Sequence, residues 1–142
     1  MNLSSADCQV EELAHTSEIG LRAFAATPAA LFGCLARAMI DLTGAQADET
    51  ADPLLLEVDV SATDMESLLV NWLNEVLYLH EVTGLLPQTV TVHSLHATAV
   101  TATLGGQTAR GPAHLQIKAV TYHQLQVVQT EGGWKAEVFF DI

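Results

Sequence analysis

The last part of the chain, from Pro87 onward, contains no long helical pattern, and this feature most constrains the fold. The segment is rich in Thr and Val, whose branched side chains favour strands over helices. Four strands are predicted there: Thr89–Thr98, Ala99–Leu104, Ala119–Thr130 and Trp134–Phe140. The glycine pairs Gly105-Gly106 and Gly132-Gly133 are typical of hairpin turns. We therefore expect this part of the chain to form a β-sheet.

Two helices are predicted earlier in the chain. Thr27 and Pro28 provide an N-cap and a first helical residue, and Gly44 marks the end of that helix. The capping box Thr63–Glu66 opens a longer helix that ends near Gly84. Three further strands are predicted around these helices: Val10–Ala14, Ile19–Phe24 and Leu54–Val60. This order predicts one α+β domain over residues 1–142, a two-layer arrangement of two helices packed on a mostly antiparallel or mixed β-sheet.

The composition limits the partners that such a domain can have. Hydrophobic residues make up 49% of the chain and charged residues 15%, which suits a packed core. The formal net charge is −12, with only five Lys plus Arg. So few basic residues cannot neutralise a run of phosphates, so we expect no strong direct binding of nucleic acid. The acidity favours cations or a basic partner protein, or serves solubility.

No targeting or membrane segment is expected. The first residues, Met1–Glu12, are polar and acidic, and the apolar stretches are too short to span a bilayer. Cys8 and Cys34 match no metal-ligand or redox spacing. We therefore expect two reduced, buried thiols in a cytoplasmic protein, with a monomer as the simplest state.

The most suggestive site lies at the end of the sequence. A strand-like run, Ala136–Phe140, leads into Asp141 and Ile142. If the strand is ordered, the Asp141 carboxylate and the main-chain carboxylate of Ile142 lie side by side. Such hard oxygen ligands suit Ca²⁺, Mg²⁺ or Mn²⁺. The alternative is a solvated end with an incidental aspartate.

A second candidate site is the segment His15–Gly20. His15 and Glu18 flank a predicted tight turn and could bind a cation together. The same residues also suit an ordinary hairpin with a solvated glutamate. The spacing alone leaves both interpretations open.

The predicted strand Ile117–His123 is a third candidate. Alternation places Lys118, Val120 and Tyr122 on one face and Ala119, Thr121 and His123 on the other. A lysine in an apolar strand either orients a carboxylate or protects a sheet edge from aggregation.

A fourth candidate is the helical face formed by Asn71, Asn74, Glu75 and Tyr78. It could cover a cavity or a partner, or be a solvated surface. The sequence contains no P-loop, no dinucleotide-binding glycine motif, no Cys-x-x-Cys pair and no Gly-x-Ser-x-Gly elbow. These absences argue against several common catalytic chemistries.

Taken together, four segments resemble the archease family: His15–Gly20, Leu68–Tyr78, Ile117–His123 and Phe140–Ile142, in that order. The resemblance covers nearly the whole chain, and the strand segment together with the final Asp-Ile is its most specific part. In one respect the chain departs from the family pattern, which has Asp at the position of Glu18. The charge is kept, while the side chain is one methylene longer.

The resemblance implies a non-catalytic protein cofactor of the GTP-dependent RNA-splicing ligase, which acts in tRNA splicing and RNA repair. Such a cofactor promotes guanylylation of the ligase's active-site histidine and allows multiple turnover. The resemblance also implies a divalent-cation site, for Ca²⁺, Mg²⁺ or Mn²⁺, formed by Glu18, Asp141 and Ile142. Residues expected to support these ligands or to contact the ligase are His15, Lys118 and His123.

Two other functions stay open at this point. In one, the protein is a metal-dependent phosphoesterase or hydrolase in which Glu18, Asp141 and His15 surround a cation that activates water. In the other, it is a chaperone-like binding module, which would need an exposed apolar patch.

Overall fold

The structure is a computed structural model that describes residues 8–14 and 17–142. The predicted α+β class is confirmed, and each predicted element is present with bounds shifted by a few residues. The strands are β1 (Cys8–Ala14), β2 (Glu18–Ala25), β3 (Leu54–Ser61), β4 (Thr89–His96), β5 (Ala99–Gly106), β6 (Ala119–Thr130) and β7 (Gly133–Asp141). The helices are α1 (Pro28–Leu42) and α2 (Met65–Thr83).

The strands divide into two antiparallel sheets, a partition that the sequence pattern did not indicate. One sheet has the order β1-β2-β7-β6 and the other the order β3-β5-β4. Both helices pack against strands of both sheets, so they lie between them. This position explains why α1 is buried on every side from Leu31 to Ala36. The core is therefore continuous from one sheet through the helices to the other.

The two helices are joined by Trp72 of α2. Its indole Nε1–H donates a hydrogen bond of 3.0 Å to the main-chain carbonyl of Phe32 in α1. The rings of Phe32 and Trp72 are also in contact, with centroids 6.1 Å apart. Both side chains are fully buried. The polar edge of the largest core side chain is thus satisfied, which makes its burial favourable.

The ends of the helices follow local capping rules, with one correction. The Thr27 hydroxyl accepts a hydrogen bond from the Ala30 N–H at 3.1 Å, and Gly84 ends α2 with a φ of 81°. The capping box predicted over Thr63–Glu66 is wrong by one residue, because the N-cap is Asp64. Its carboxylate accepts the Ser67 N–H at 2.8 Å, and this bond lowers the pKa of Asp64. A carboxylate is the stronger acceptor at a helix N-terminus.

The predicted hairpin turn at Gly105-Gly106 is wrong, since both glycines lie inside β5 and pair with β3. A Cβ atom at Gly105 would lie 2.6 Å from the Thr89 hydroxyl, and one at Gly106 would overlap the Leu86 carbonyl oxygen. Gly105 therefore makes room for the Thr89 side chain, and Gly106 permits the close approach of the Leu86 backbone. The other predicted turn is confirmed, because Gly132 has a φ of 89° between β6 and β7.

The prediction of two reduced thiols is also wrong, because Cys8 and Cys34 form a disulfide that joins β1 to α1. The register of β1 and β2 places Cys8 opposite Ala25, on the face that packs against α1. The Cα atoms of the two cysteines are 6.5 Å apart, within the range that a disulfide spans. A separation of 26 residues carries no local signal of this pairing.

Two asparagines of α2 tie the helix to both sheets. The Asn74 Oδ1 accepts the Val120 N–H at 3.1 Å, at the start of β6. The Asn71 amide donates to the Ser61 carbonyl at 3.1 Å, at the end of β3. The predicted polar face of α2 therefore binds backbone groups at these two positions. The Asn74 contact also fixes the part of β6 that lies next to Asp141.

A row of ion pairs crosses the outer face of the four-stranded sheet. The register aligns Glu11, Arg22 and Glu137 on neighbouring strands. The Arg22 Nε–H donates to Glu137 at 2.8 Å, and its Nη1–H donates to Glu11 at 3.2 Å. The Arg22 hydrogen bond lowers the pKa of Glu137 below its ordinary value of 4.5. Glu137 is the less exposed of the two carboxylates, so its bond contributes more.

We expect Glu137→Gln to lower the melting temperature at pH 7 by about 2 to 4 °C, measured by circular dichroism. Because folding lowers the pKa of Glu137, its contribution is present above pH 4.5 and is lost as the pH falls below that value. The difference between wild type and variant should therefore shrink in acid. Glu11→Gln, at the exposed end of the row, is the control and should cost less. An equal effect of the two variants would contradict this ranking.

We expect Asn74→Ala to lower the free energy of unfolding by about 1 to 3 kcal/mol, because it leaves the Val120 N–H without its acceptor. Urea denaturation measures this loss. Asn71→Ala is the matched control, and we expect about 1 kcal/mol or less, because water can replace its exposed hydrogen bond. If the two variants lose the same stability, Asn74 has no special role in holding β6.

Candidate functional site

Glu18 and Asp141 face each other at one end of the four-stranded sheet. The antiparallel register pairs Glu18 of β2 with Asp141 of β7, and Asp141 in turn pairs with Ala119 of β6. Residues directly opposite in such a pair have Cβ atoms about 5 Å apart on the same face. The two carboxylates, here called the acidic row, are thus brought together by tertiary pairing. Like charges in this relation repel each other unless a cation or a basic group lies near.

Among the ion pairs of the described residues, the basic partner of the acidic row is His123. Its Nε2 lies 3.7 Å from Oε1 of Glu18, close enough for an ion pair when the imidazole is protonated. This distance is too long for a strong hydrogen bond. The Glu18 side chain is 18% exposed, whereas the His123 side chain is 54% exposed. The structure therefore brings Glu18, Asp141 and His123 together at one surface.

An irregularity in β6 places His123 in this position. The pairing of β6 with β7 shifts register between Thr121 and Gln126, and Gln124 has a φ of 52°. The strict alternation predicted for this strand is therefore wrong, because Tyr122 and His123 are both exposed. Bulges of this kind redirect side chains at the edges of sheets.

A buried aromatic ring lies beneath His123. Phe139 of β7 is only 2% exposed although it projects from the outer face of the sheet. The His123 ring meets it edge-on, with centroids 6.1 Å apart. Gly20, the register partner of Phe139, makes room for the ring, because a Cβ atom there would lie 2.5 Å from it. The glycine in His15–Gly20 thus serves close packing beside the acidic row.

Lys118 contacts the row through its main chain. Its N–H donates a hydrogen bond of 2.8 Å to the Asp141 carbonyl, and its side chain is exposed. The predicted common face of Lys118, Val120 and Tyr122 is wrong, because β6 begins after Lys118 and Val120 is buried in the core. The Lys118 backbone therefore holds the end of β7, and its ammonium group lies in solvent.

The remaining predicted site residues are His15 and Ile142. His15 lies outside the described residues. Ile142 follows Asp141 and is 38% exposed. Within residues 8–14 and 17–142, no group of three or more His, Cys, Asp or Glu side chains is arranged to hold a metal ion. The acidic row supplies two carboxylates of the kind that bind hard cations, so its chemistry fits such an ion, with further ligands required.

Two described cavities lie away from the acidic row. The larger, of about 430 Å³, lies at the C-terminal end of α2 and is lined by His80, Glu81 and Ile117 among others. The smaller, of about 260 Å³, is lined by Arg37, Asp41 and Pro87 among others. Neither Glu18 nor Asp141 lines these cavities. Asp141 is exposed at this end of the sheet, and Glu18 beside it is partly exposed.

In the described part of the chain, no helix is both long enough and apolar enough to cross a membrane.

Comparison with known proteins gives one consistent result. Residues 11–142 match the archease protein family. The chain is 37% identical to protein archease of Methanosarcina acetivorans over 142 aligned residues, covering 93% of this chain and 94% of that protein.

Two solved structures share the fold. The solution structure of a Methanobacterium thermoautotrophicum protein has a TM-score of 0.69 at 24% identity, covering 94% of this chain and 98% of that one. The crystal structure of an archease from Thermotoga maritima, named a possible chaperone, has a TM-score of 0.66 at 20% identity, covering 93% and 96%. Because the family match spans nearly the whole chain, this protein belongs to the archease family.

Proposed function

We propose that this archease is a non-catalytic accessory protein that activates a GTP-dependent RNA ligase. It would promote guanylylation of the ligase's active-site histidine and so allow multiple turnover, in tRNA splicing or RNA repair in the cytoplasm. The observation that carries the proposal is the acidic row, where Glu18 and Asp141 face each other at an exposed end of the sheet. The family membership supports the same assignment.

The charge of the protein favours a partner with a basic cleft. The net charge is −12 with only five basic residues, so this protein presents a negatively charged surface to a partner in most of its orientations. A cleft that binds RNA phosphates and GTP is positively charged, and opposite potentials accelerate association. The acidic row would enter that cleft as the leading surface. The protein would then act on the ligase without gripping RNA itself.

The acidic row would hold a divalent cation together with a main-chain oxygen of Ile142. Ca²⁺, Mg²⁺ and Mn²⁺ all accept oxygen ligands of this kind. A bound cation would neutralise the repulsion between Glu18 and Asp141 and present positive charge to phosphate oxygens of the partner site. His15, Lys118 and His123 would surround the ligands or contact the ligase. Glu18 lies on the strand next to β7, directly opposite Asp141 in the register, so its longer side chain would supply the second carboxylate.

Cation binding is testable without the ligase. We expect Mn²⁺ or Ca²⁺, at about one hundred times its dissociation constant, to raise the melting temperature of the wild type by about 5 to 10 °C. Glu18→Gln and Asp141→Asn should lose most of this rise. Asp59→Asn, an exposed acidic position on β3 of the other sheet, removes one charge as a control and should keep the rise. An equal rise in all four proteins would place the cation elsewhere.

The accessory role is tested by multiple-turnover ligation with the cognate ligase, GTP and Mn²⁺. We expect wild type and Asp59→Asn to stimulate product formation, and Glu18→Gln and Asp141→Asn to lose about tenfold or more of the stimulation, since each removes a charged ligand. Normal stimulation by Asp141→Asn would exclude the acidic-row mechanism. No stimulation by the wild type would exclude the accessory role itself.

A second candidate is a chaperone-like binding module, favoured by the name given to the Thermotoga maritima protein. Large apolar side chains are exposed at several positions, among them Leu55, Tyr78 and Val82. A chaperone would suppress aggregation of unrelated unfolded proteins, and that suppression would survive Asp141→Asn. The metal-dependent hydrolase, in which Glu18, Asp141 and His15 surround a cation that activates water, would be distinguished by turnover of phosphoesters by the purified protein alone.

A further inference from the structure

The Cys8–Cys34 disulfide joins two elements that are otherwise held by non-covalent contacts. Cys8 lies in β1, which is the edge strand of its sheet, and Cys34 lies in α1 between the sheets. The chain contains only these two cysteines, so no other thiol of the same molecule can exchange with the bond. Any opening of the disulfide must therefore be carried out by an external reductant.

The two sulfur-bearing residues differ in their access to solvent. Cys34 is only 3% exposed and is covered by the core. Cys8 is partly exposed, at the outer end of the edge strand. A thiolate attacks a disulfide along the line of the two sulfur atoms, so access decides which sulfur is attacked. Cys8 is the more exposed of the two residues, whereas an incoming thiolate would have to displace core side chains to reach Cys34.

A cationic side chain lies at the buried sulfur. The guanidinium of Arg37, one turn further along α1, donates a hydrogen bond of 3.6 Å from Nη2 to Sγ of Cys34. A neighbouring cation stabilises a thiolate and so makes that sulfur the better leaving group. Burial lowers the pKa of Arg37, whereas the charge of Asp41 raises it. An arginine nevertheless keeps its charge in proteins, so the positive charge is present when the bond opens.

We propose that Cys8–Cys34 is a reducible disulfide whose two sulfurs have fixed roles, with Cys8 as the attacked sulfur and Cys34 as the leaving group. A dithiol reductant supplies the electrons. Its thiolate bonds to Sγ of Cys8, the disulfide breaks, and the electron pair stays on Sγ of Cys34 beside Arg37. The second thiol of the reductant, after losing its proton, then displaces Cys8, which leaves as a thiolate and takes a proton. The reductant becomes a disulfide, and two electrons have passed to the protein.

Opening the bond would loosen one specific element. Among the described residues, β1 pairs with β2 alone and packs on α1, and the disulfide is its covalent tie to the helix. Cys8 pairs with Ala25, at the end of β1 that lies away from Glu18. Loss of the tie should therefore loosen β1 from its Cys8 end, while β7 in the centre of the sheet stays paired. β1 would thus be ordered in the oxidised protein and less ordered in the reduced protein.

The attacked sulfur is identified by treating the oxidised wild-type protein with a monothiol probe, 2-mercaptoethanol, trapping with iodoacetamide, and mapping by mass spectrometry. We expect the mixed disulfide on Cys8 and the acetamide label on Cys34. The reverse pattern, or purification of the protein without a disulfide in the absence of reductant, would overturn the proposal.

The role of Arg37 is tested by the rate of reduction with dithiothreitol at pH 7. We expect Arg37→Gln to slow reduction by about three- to tenfold, because the pKa of the leaving thiol governs this rate. The reduction rate of Arg37→Lys should be closer to that of the wild type. Arg110→Gln, which removes an equal charge from a loop, should be reduced at the wild-type rate. An unchanged rate in a folded Arg37→Gln protein would overturn the role of Arg37.

The effect on β1 is measured by amide hydrogen exchange of the wild type before and after reduction. Exchange in β1 should rise about tenfold or more in the reduced protein, while exchange in β7 should stay unchanged. Equal protection of β1 in both states would show that the bond does not control this strand. The probe mapping does not depend on any variant, so the proposal is decided even if Arg37→Gln fails to fold.

Discussion

The hydrogen-bond ladder between β2 and β7 joins residues that lie far apart in the chain, and the candidate site depends on its register. The same alignment places Arg22 against Glu137 across 115 residues, Gly20 beneath Phe139, and Glu18 beside Asp141. A slip of one residue would turn each of these side chains to the other face of the sheet. The Phe139 ring fits only over a glycine, so a shifted register would force a clash. The packing beside the acidic row and the ion-pair row therefore protect the same alignment.

The helix layer supports the site from the opposite face. Trp72 bonds α2 to α1, and Asn74 of the same helix accepts the Val120 N–H at the start of β6. Immediately before that point, the Lys118 N–H binds the Asp141 carbonyl. The helix motif and the strand motif therefore meet at the end of β7. Together they hold the Asp141 main chain at a defined place at the end of the sheet.

The disulfide gives the fold a feature that its composition did not indicate. Disulfides are uncommon in reducing compartments. A disulfide that a dithiol can reduce would allow the protein to exist in an oxidised and a reduced state. The bond and the acidic row lie at opposite ends of the β1–β2 pair, since Cys8 pairs with Ala25 whereas Ala14 pairs with Ile19, next to Glu18.

Local signals in the sequence determined much of this protein. Thr27, Pro28 and Gly84 act within one helical turn, so the start of α1 and the end of α2 followed from them. The alternation in Leu54–Val60 correctly separated the exposed Glu57 and Asp59 from the less exposed face of the strand. The family resemblance also came from sequence, and its charged residues indicated where to look for a site.

Only the tertiary structure decided which strands pair. An alternating pattern shows that a strand has two faces and does not identify its neighbour, so the two sheets and the Cys8–Cys34 bond were not predicted. That Glu18 lies near Asp141 was implied by the family resemblance alone, and the β2–β7 register is what pairs them. Gly105 and Gly106 looked like a turn because the contacts that require them come from other segments. The exposure of His123 likewise depends on a register shift that β6 acquires only when it pairs with β7. Each of these features is a long-range contact, and local sequence patterns do not report the energy of contacts between distant segments.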